Sequence, residues 1–464
     1  MPVALAPFAP SSGDRWDSQK AAHLLRRAGF GPLPREVQAA VAAGPDRAVA
    51  ALFAFPPPPA PPAALGDARA AEMRLDAELE LLRSTNERPK DHPELRAFYE
   101  AAAQAHGRAI VQTTSWWLDR MATGPAPLQE KLVLFWHGHF TSAFGDVHDA
   151  IAMYNQNQLF RANACGNFAR LLDGVARDPA MLVYLNNDQN QRGHPNENWA
   201  RELLELFTMG IGRYSEDDVR ESARAWTGWT LQDERRFLDR RTFAFKANQH
   251  DDGQKTFLGE TGNWDGTDVI RIVLANPATP SWVAGKLAKF FVSPQPPQDL
   301  VDGLARMLRQ QNYEIAPVIR ALFRSRAFYR ADVMHAQVKS PTEYVVGAVR
   351  QLGVEDPDWI RLGGAMTVMG QHLFFPPTVA GWNGGPSWIN SGTVFTRSDV
   401  AAALIGGRLG TPNLTPLGSP EAITTQLLAR PLAPARQAIL AQASASSIDG
   451  AIHLVMTLPE YQVA

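Results

Sequence analysis

The chain has 464 residues, 45% of them apolar and 20% charged; a chain this long and this apolar buries a large core, which excludes wholesale disorder. Lys and Arg number 45 against 47 Asp and Glu, a net charge of −2, so no basic footprint for nucleic acid or for an anionic membrane surface is present. The single cysteine, Cys165, excludes an internal disulfide and a cysteine-rich zinc site. No run of about 18 apolar residues predicts a membrane-spanning helix. The start, MPVALAPFAP, lacks a basic region and is cut by Pro7 and Pro10. It does not read as an export signal, which leaves the cytoplasm as the default location.

In chain order, KAAHLLRRAGFG predicts a helix that Gly29 and Gly31 end. Pro56 to Pro59, with Pro61 and Pro62, then form a stiff extended segment, which reads as a linker. Ala- and Glu-rich stretches at 63–84 and 94–121 favour helix. LQEKLVLF, from Leu128 to Phe135, is helical in propensity and becomes apolar all round, the mark of a buried helix. Further helices are predicted at about 149–163, 167–177, 198–209, 216–228, 281–291, 298–310, 315–325 and 341–352. Two carry explicit starts: Ser215 before Glu216, Asp217 and Asp218, and the capping box Ser340-Pro341-Thr342-Glu343. RTFAFKA alternates, HDDG turns and KTFLG follows, so 241–259 predicts a small β-hairpin. The tail after about residue 410 mixes Pro, Ser and Ala with helical runs and ends in a helix near 448–457. The expected fold is mainly α, a single large multi-helix domain with that hairpin inserted. Residues 1–62 are an N-terminal helical segment and linker, 63–410 the main body, and 411–464 a helical tail packed on it.

Four segments are candidates for chemistry. In FWHGHF, His137 and His139 sit at the exit of the buried helix. On a helix they point about 200° apart, whereas an extended exit at Gly138 would let both rings share a metal. In PNENWARELLELF, Asn198, Arg201, Glu202 and Glu205 gather in one sector of the helical wheel, either as a solvated stripe or as carboxylates lining a cavity. In HDDGQKTFLG, turn chemistry accounts for Asp252 and Gly253 but not for His250 beside Asp251. In MGQHLFFPPTVAGWNGGPSWINS, three prolines, four glycines, Trp382 and Trp388 make a rigid loop. With Gln371, Asn383 and Asn390 nearby it suits a sugar or peptide, or serves as an apolar plug. Nucleophile-elbow, P-loop, dinucleotide-binding and zincin signatures are missing.

These segments together resemble one bacterial family, domain-of-unknown-function family number 1800. The resemblance rests on LLRRAGFGP (24–32), FWHGHF, RDPAML (177–182) and PNENWARELLELFTMGIGRYSEDDVRESARAWTGW (195–229). HDDGQKTFLG, KSPTEYVVGAVRQLG (339–353) and GQHLFFPPTVAGWNGGPSWINS (370–391) complete it, from about residue 18 to about 400. The resemblance implies a mainly helical bacterial protein, often encoded beside an exported sulfatase-like family; many members carry export signals and this sequence shows none, so the periplasm would be reached by travelling with that partner. It implies no activity.

Three readings follow. The first is a metal-dependent or acid/base enzyme. His137, His139 and Glu202 would hold a divalent metal ion, Glu205 or Asp251 would be the base, His250 a further ligand or proton shuttle, and Arg201 an anchor for an anionic group. The second is a non-catalytic assembly partner of the sulfatase-like protein. The third is a glycan- or peptide-binding module built on Trp382, Trp388, Gln371 and Asn390.

Overall fold

A computed structural model of the chain describes residues 5–85, 92–232 and 241–464; the first four residues of the MPVALAPFAP start lie outside them. Among the described residues, 23 α-helices surround two small antiparallel two-stranded sheets, so the chain is mainly α with a small β insertion. The expected helices form close to their predicted bounds: Ala150–Ala162, Phe168–Ala176, Gln298–Gln310, Ile315–Arg324 and Pro341–Gln351. Their ends follow from side-chain chemistry. Ser215 accepts from the backbone N–H of Asp218, whose carboxylate in turn accepts from the Ser215 N–H; Ser340 and Glu343 make the same reciprocal pair. Each satisfies two of the N–H groups that a helix start leaves without partners.

The Pro127–His139 helix is buried on every side from Leu128 through His137, as the apolar run Leu132–Trp136 requires, and its buried Glu130 and Lys131 are held by ion pairs to Arg161 and Glu343. Beside it runs Leu95–Thr123, which pairs back along Ala64–Ser84. One hydrophobic core joins all parts of the chain: Leu24 and Phe30 from the N-terminal helices, Leu132 and Val345 from the centre, and Leu427 and Ile452 from the tail belong to the same contiguous cluster. A smaller cluster of Leu75, Leu79, Leu82, Leu95 and Ala102 holds the far end of the long helix pair. The proline segment is pinned by the Trp116 indole N–H, which donates to the Ala60 carbonyl at 3.0 Å.

The β pairing differs from the predicted hairpin. Phe243–Phe245 pairs with Trp229–Leu231, while Lys255–Phe257 pairs with Glu260–Gly262. The helix from Glu216 stops at Ala225 rather than at 228, which releases Trp229–Leu231 as a fully buried strand. The Trp229 and Phe243 rings then meet at 5.0 Å, a cross-strand aromatic contact that fixes the register. The second ladder turns at Leu258 and Gly259, both with positive φ (49° and 83°), the conformation that a two-residue hairpin needs.

Candidate functional site

The helix carrying His137 and His139 stays regular through His139, so the extended exit at Gly138 does not occur and the two imidazoles diverge. His137 Nε2 accepts the backbone N–H of Phe374 at 3.0 Å, and its ring lies 5.4 Å from Trp117 and 5.6 Å from Trp382. His139 Nε2–H donates to the Phe207 carbonyl at 3.0 Å, with the Phe140 ring edge-on at 4.5 Å. The metal set His137, His139 and Glu202 is therefore not gathered. Among the described residues, the three-donor group whose ligand atoms lie within 4.8 Å of one another is Glu72, His106 and Asp149.

Burial drives both imidazoles down to about 3. Each ring stays neutral in the fold but takes up a proton near pH 6.5 when unfolded, so its contribution to stability is whole above about 6.5 and is lost as pH falls towards about 3. Each should remove about 1.4 kcal/mol per pH unit across that window. Urea unfolding between about pH 7 and pH 5 tests this. His137→Gln keeps an acceptor for the Phe374 N–H and should reduce the slope by about one proton's worth; an unchanged slope in that variant would rule out the assignment.

His139 holds in place an irregular stretch of the carboxylate segment. The helix that starts at Asn198 becomes a π-helix over Leu203–Thr208. A π-turn leaves carbonyls out of the ordinary ladder, and three here have side-chain partners. Leu203 accepts from the Thr208 hydroxyl at 2.5 Å, Leu206 from the Trp282 indole at 2.8 Å, and Phe207 from His139. Such turns concentrate at functional sites. Glu202, the last α-helical residue before this turn, and Glu205 within it are both half-buried. Burial, then the nearby Glu205 charge, raises the Glu202 carboxyl above the usual range. Glu205 accepts from the Tyr214 hydroxyl at 2.9 Å. Tyr184 lies against Thr141 with Asp146 and Glu202 nearby, and burial followed by those two charges pushes its phenol up to about 12.

The other predicted polar residues have structural duties. Arg201 bonds Glu216 at 2.7 and 2.9 Å and Glu197 at 3.1 Å rather than either acid of the pair, though its charge is felt at Glu202. His250 Nδ1 donates to the Thr227 carbonyl at 2.8 Å. Asp251 takes a forked bond from Arg224 at 2.8 and 3.2 Å, which holds its carboxyl down at about 2; a carboxylate so stabilised as an anion is a poor base. His250 and Asp251 thus clasp their loop onto the end of the Glu216–Ala225 helix instead of joining Glu202.

In the tryptophan loop, Trp382, Trp388 and Asn390 line an open cleft of about 230 Å³ together with Asn383 and Ser387. Asn390 also caps the Ser391–Ile405 helix through Thr393 N–H. Gln371 is buried elsewhere: its side-chain carbonyl accepts from the backbone N–H and the hydroxyl of Thr342, at 2.9 and 2.8 Å. Contacts link the loop that carries Trp382 to Tyr184, whose phenol feels the Glu202 charge. Gly381 packs on the Gly138 carbonyl, the Thr141 hydroxyl donates to Val379, and Tyr184 lies on the same threonine.

Sequence reasoning missed the Glu72 cluster. Glu72 accepts from His106 Nε2–H at 2.8 Å, and His106 Nδ1 accepts the Ala150 N–H at 3.0 Å. Arg241 bridges Glu72 and Asp149, the latter at 2.7 Å. One His and two carboxylates are a suitable donor set for a divalent cation, but here a guanidinium already supplies positive charge to both acids. The signal was present: Glu72 interrupts the apolar stripe Leu65, Ala68, Leu75, Leu79, and His106 does the same between Ala102 and Ala109.

No curated protein and no solved structure matches the chain. A family model does, over residues 23–463, a span that takes in the π-turn, the tryptophan loop and the buried clusters alike. The chain belongs to the family of proteins of unknown function DUF1800.

Proposed function

We propose that the protein is an acid/base enzyme in which Glu202 carries the proton, Glu205 is its companion carboxylate, and the Trp382–Trp388 cleft holds a sugar or peptide substrate. The observation that supports this most is the placement of Glu202, half-buried at the α-helical end that leads into a π-turn, with its carboxyl raised by burial and by Glu205. A general acid near neutral pH needs that displacement, and two carboxyls in unequal surroundings divide the acid and base roles. Tyr214, bonded to Glu205, distinguishes the two environments. The cleft offers indole faces with amide and hydroxyl groups, the chemistry of a carbohydrate or peptide platform.

The test is turnover on a panel of cell-wall fragments, oligosaccharides and peptides. Glu202→Gln should lower kcat by about 10²–10⁴ while melting like wild type, and Trp382→Ala should act mainly on KM. A wild type that turns over nothing on the panel, or a Glu202→Gln enzyme as active as wild type, defeats the reading.

A second reading, an accessory partner of a sulfatase-like protein, is favoured by apolar side chains exposed beside the cleft: Val368 (69%), Val394 (44%) and Phe395 (72%). Exposed apolar side chains gathered in one place mark interaction surfaces. Under this reading the two proteins co-elute, and Phe395→Asp separates them.

A further inference from the structure

The cleft at the tryptophan loop has no charged wall: none of the side chains lining it is acidic, basic or a histidine. It offers two indoles, Asn383, Asn390 and two hydroxyls. The hydroxyls are already used. Ser387 donates to the Gly384 carbonyl at 2.7 Å, and Thr393 donates to the Trp388 carbonyl at 3.0 Å. Asn390 Oδ1 accepts the Thr393 N–H at 3.0 Å. These bonds fix the Gly385–Trp388 turn against the start of the Ser391–Ile405 helix, so little ordering is left for a ligand to impose. Trp382 is braced on one side by the His137 ring at 5.6 Å.

The nitrogen donors are not used. Among the described residues, neither the indole N–H groups of Trp382 and Trp388 nor the amide nitrogens of Asn383 and Asn390 make a hydrogen bond. Trp388 is 6% exposed, yet its N–H is not sealed away from solvent, and the open space against this ring is the cleft. An indole N–H can only donate. These four nitrogen groups outnumber the side-chain acceptors that remain, Asn383 Oδ1 and Ser387 Oγ, so the wall asks for a ligand rich in oxygen acceptors. A saccharide has them, and its C–H faces lie well on indole rings. A charged ligand would leave water for a wall without a counter-charge, which is costly. Peptide capture by strand addition or by an arginine cluster needs a strand edge or a cationic wall, and neither lines this cleft. At about 230 Å³ it falls below the roughly 300–1,000 Å³ of a drug-sized pocket, room for a sugar ring or two but not for a docked helix.

We infer that the cleft selects an uncharged saccharide, stacked on Trp382 and hydrogen-bonded by the Trp388 indole and Asn383, and that it rejects peptides and charged sugars. That the saccharide is a substrate rests on the acid/base reading above; its binding does not. Calorimetric titration reads binding directly, on wild type and on Glu202→Gln, where turnover does not intrude. The probes are the trimer of N-acetylglucosamine, its deacetylated cationic counterpart, cellotriose and a proline-rich peptide. At least one of the two uncharged trisaccharides should bind at about 1 mM or tighter, the cationic trimer about tenfold more weakly, and the peptide not at all. Trp382→Ala should abolish the binding. Asn383→Ala, at an exposed side chain, should weaken it about threefold to tenfold while melting like wild type, which keeps the test open if the tryptophan variant does not fold. No heat from either uncharged trisaccharide, equal binding of the cationic trimer, binding of the peptide instead, or affinity unchanged in Asn383→Ala overturns the inference. A trisaccharide that binds through Trp382 and Asn383 but is not turned over by wild type defeats the acid/base reading alone and upholds this one.

Discussion

Glu130→Ala should destabilise the protein by about 3–5 kcal/mol, because it strands a buried arginine. Glu130 is 1% exposed on the central helix. Its two oxygens take bonds from Arg161 Nε at 2.9 Å and its terminal nitrogen at 2.7 Å, from Arg120 at 3.2 Å and from the Trp117 indole at 3.0 Å. Arg161 is itself 3% exposed, spends its remaining donors on Asn157 at 2.6 Å, and stacks over Trp116 at 5.2 Å. The carboxylate therefore ties Leu95–Thr123, Pro127–His139 and Ala150–Ala162 together at one point. Removing it leaves a guanidinium with no water and no anion, whereas replacing Glu130 and Arg161 together by Met should be far milder. Chemical denaturation of the single and double variants reads the difference. A single variant that unfolds at the wild-type midpoint would show that the network carries little of the stability.

Arg241→Ala should have an effect of similar size, about 3–5 kcal/mol, for the opposite reason: it leaves buried acids short of a cation. Glu72 and Asp149 are 0% and 4% exposed, and Arg241 is bonded to both. The variant also tests the donor set. With the guanidinium gone, zinc should find the His106 ring and two carboxylates within reach of one ion. Zinc should therefore restore part of the lost stability in Arg241→Ala and add nothing to wild type. A variant as stable as wild type, or one indifferent to zinc, would contradict the electrostatic account of this cluster.

What the sequence discloses is local. The capping residues at Ser215 and Ser340 act on neighbours three positions away, so the helix starts they predict are realised. The buried character of 132–136 follows from composition alone and is realised as well, whereas the burial of Glu130 and Lys131 depends on distant partners. The candidate site was legible only as a set of segments. That Trp382 lies beside His137, and Tyr184 beside Thr141, depends on chain closures across some 245 and 43 positions, which no local pattern encodes. The two histidines mislead for a related reason. Their spacing permits a shared metal only if Gly138 ends the helix, and the surrounding aromatic shell keeps it helical. The strand at Trp229–Leu231 was hidden because it follows a helix without any turn residue other than Gly228. The helices Gly266–Ala275, Trp359–Val368 and Ser391–Ile405 were not anticipated. Two of them lie next to glycine-rich segments that read as loop.

The π-turn at Leu203–Thr208 has an implication for how the carboxylate pair arose. A π-turn holds one residue more than the α-turn it replaces, and each residue of a helix turns the chain by about 100°. A single-codon insertion into an ordinary helix would therefore swing everything downstream by that angle, taking the two acids out of α-helical phase with each other. His139 and Trp282 supply the hydrogen bonds that such an insertion would otherwise leave broken, which makes the extra residue tolerable once both are in place. The histidine in FWHGHF and the acids in ENWARELLELF would then have a shared history, each constraining the substitutions open to the other.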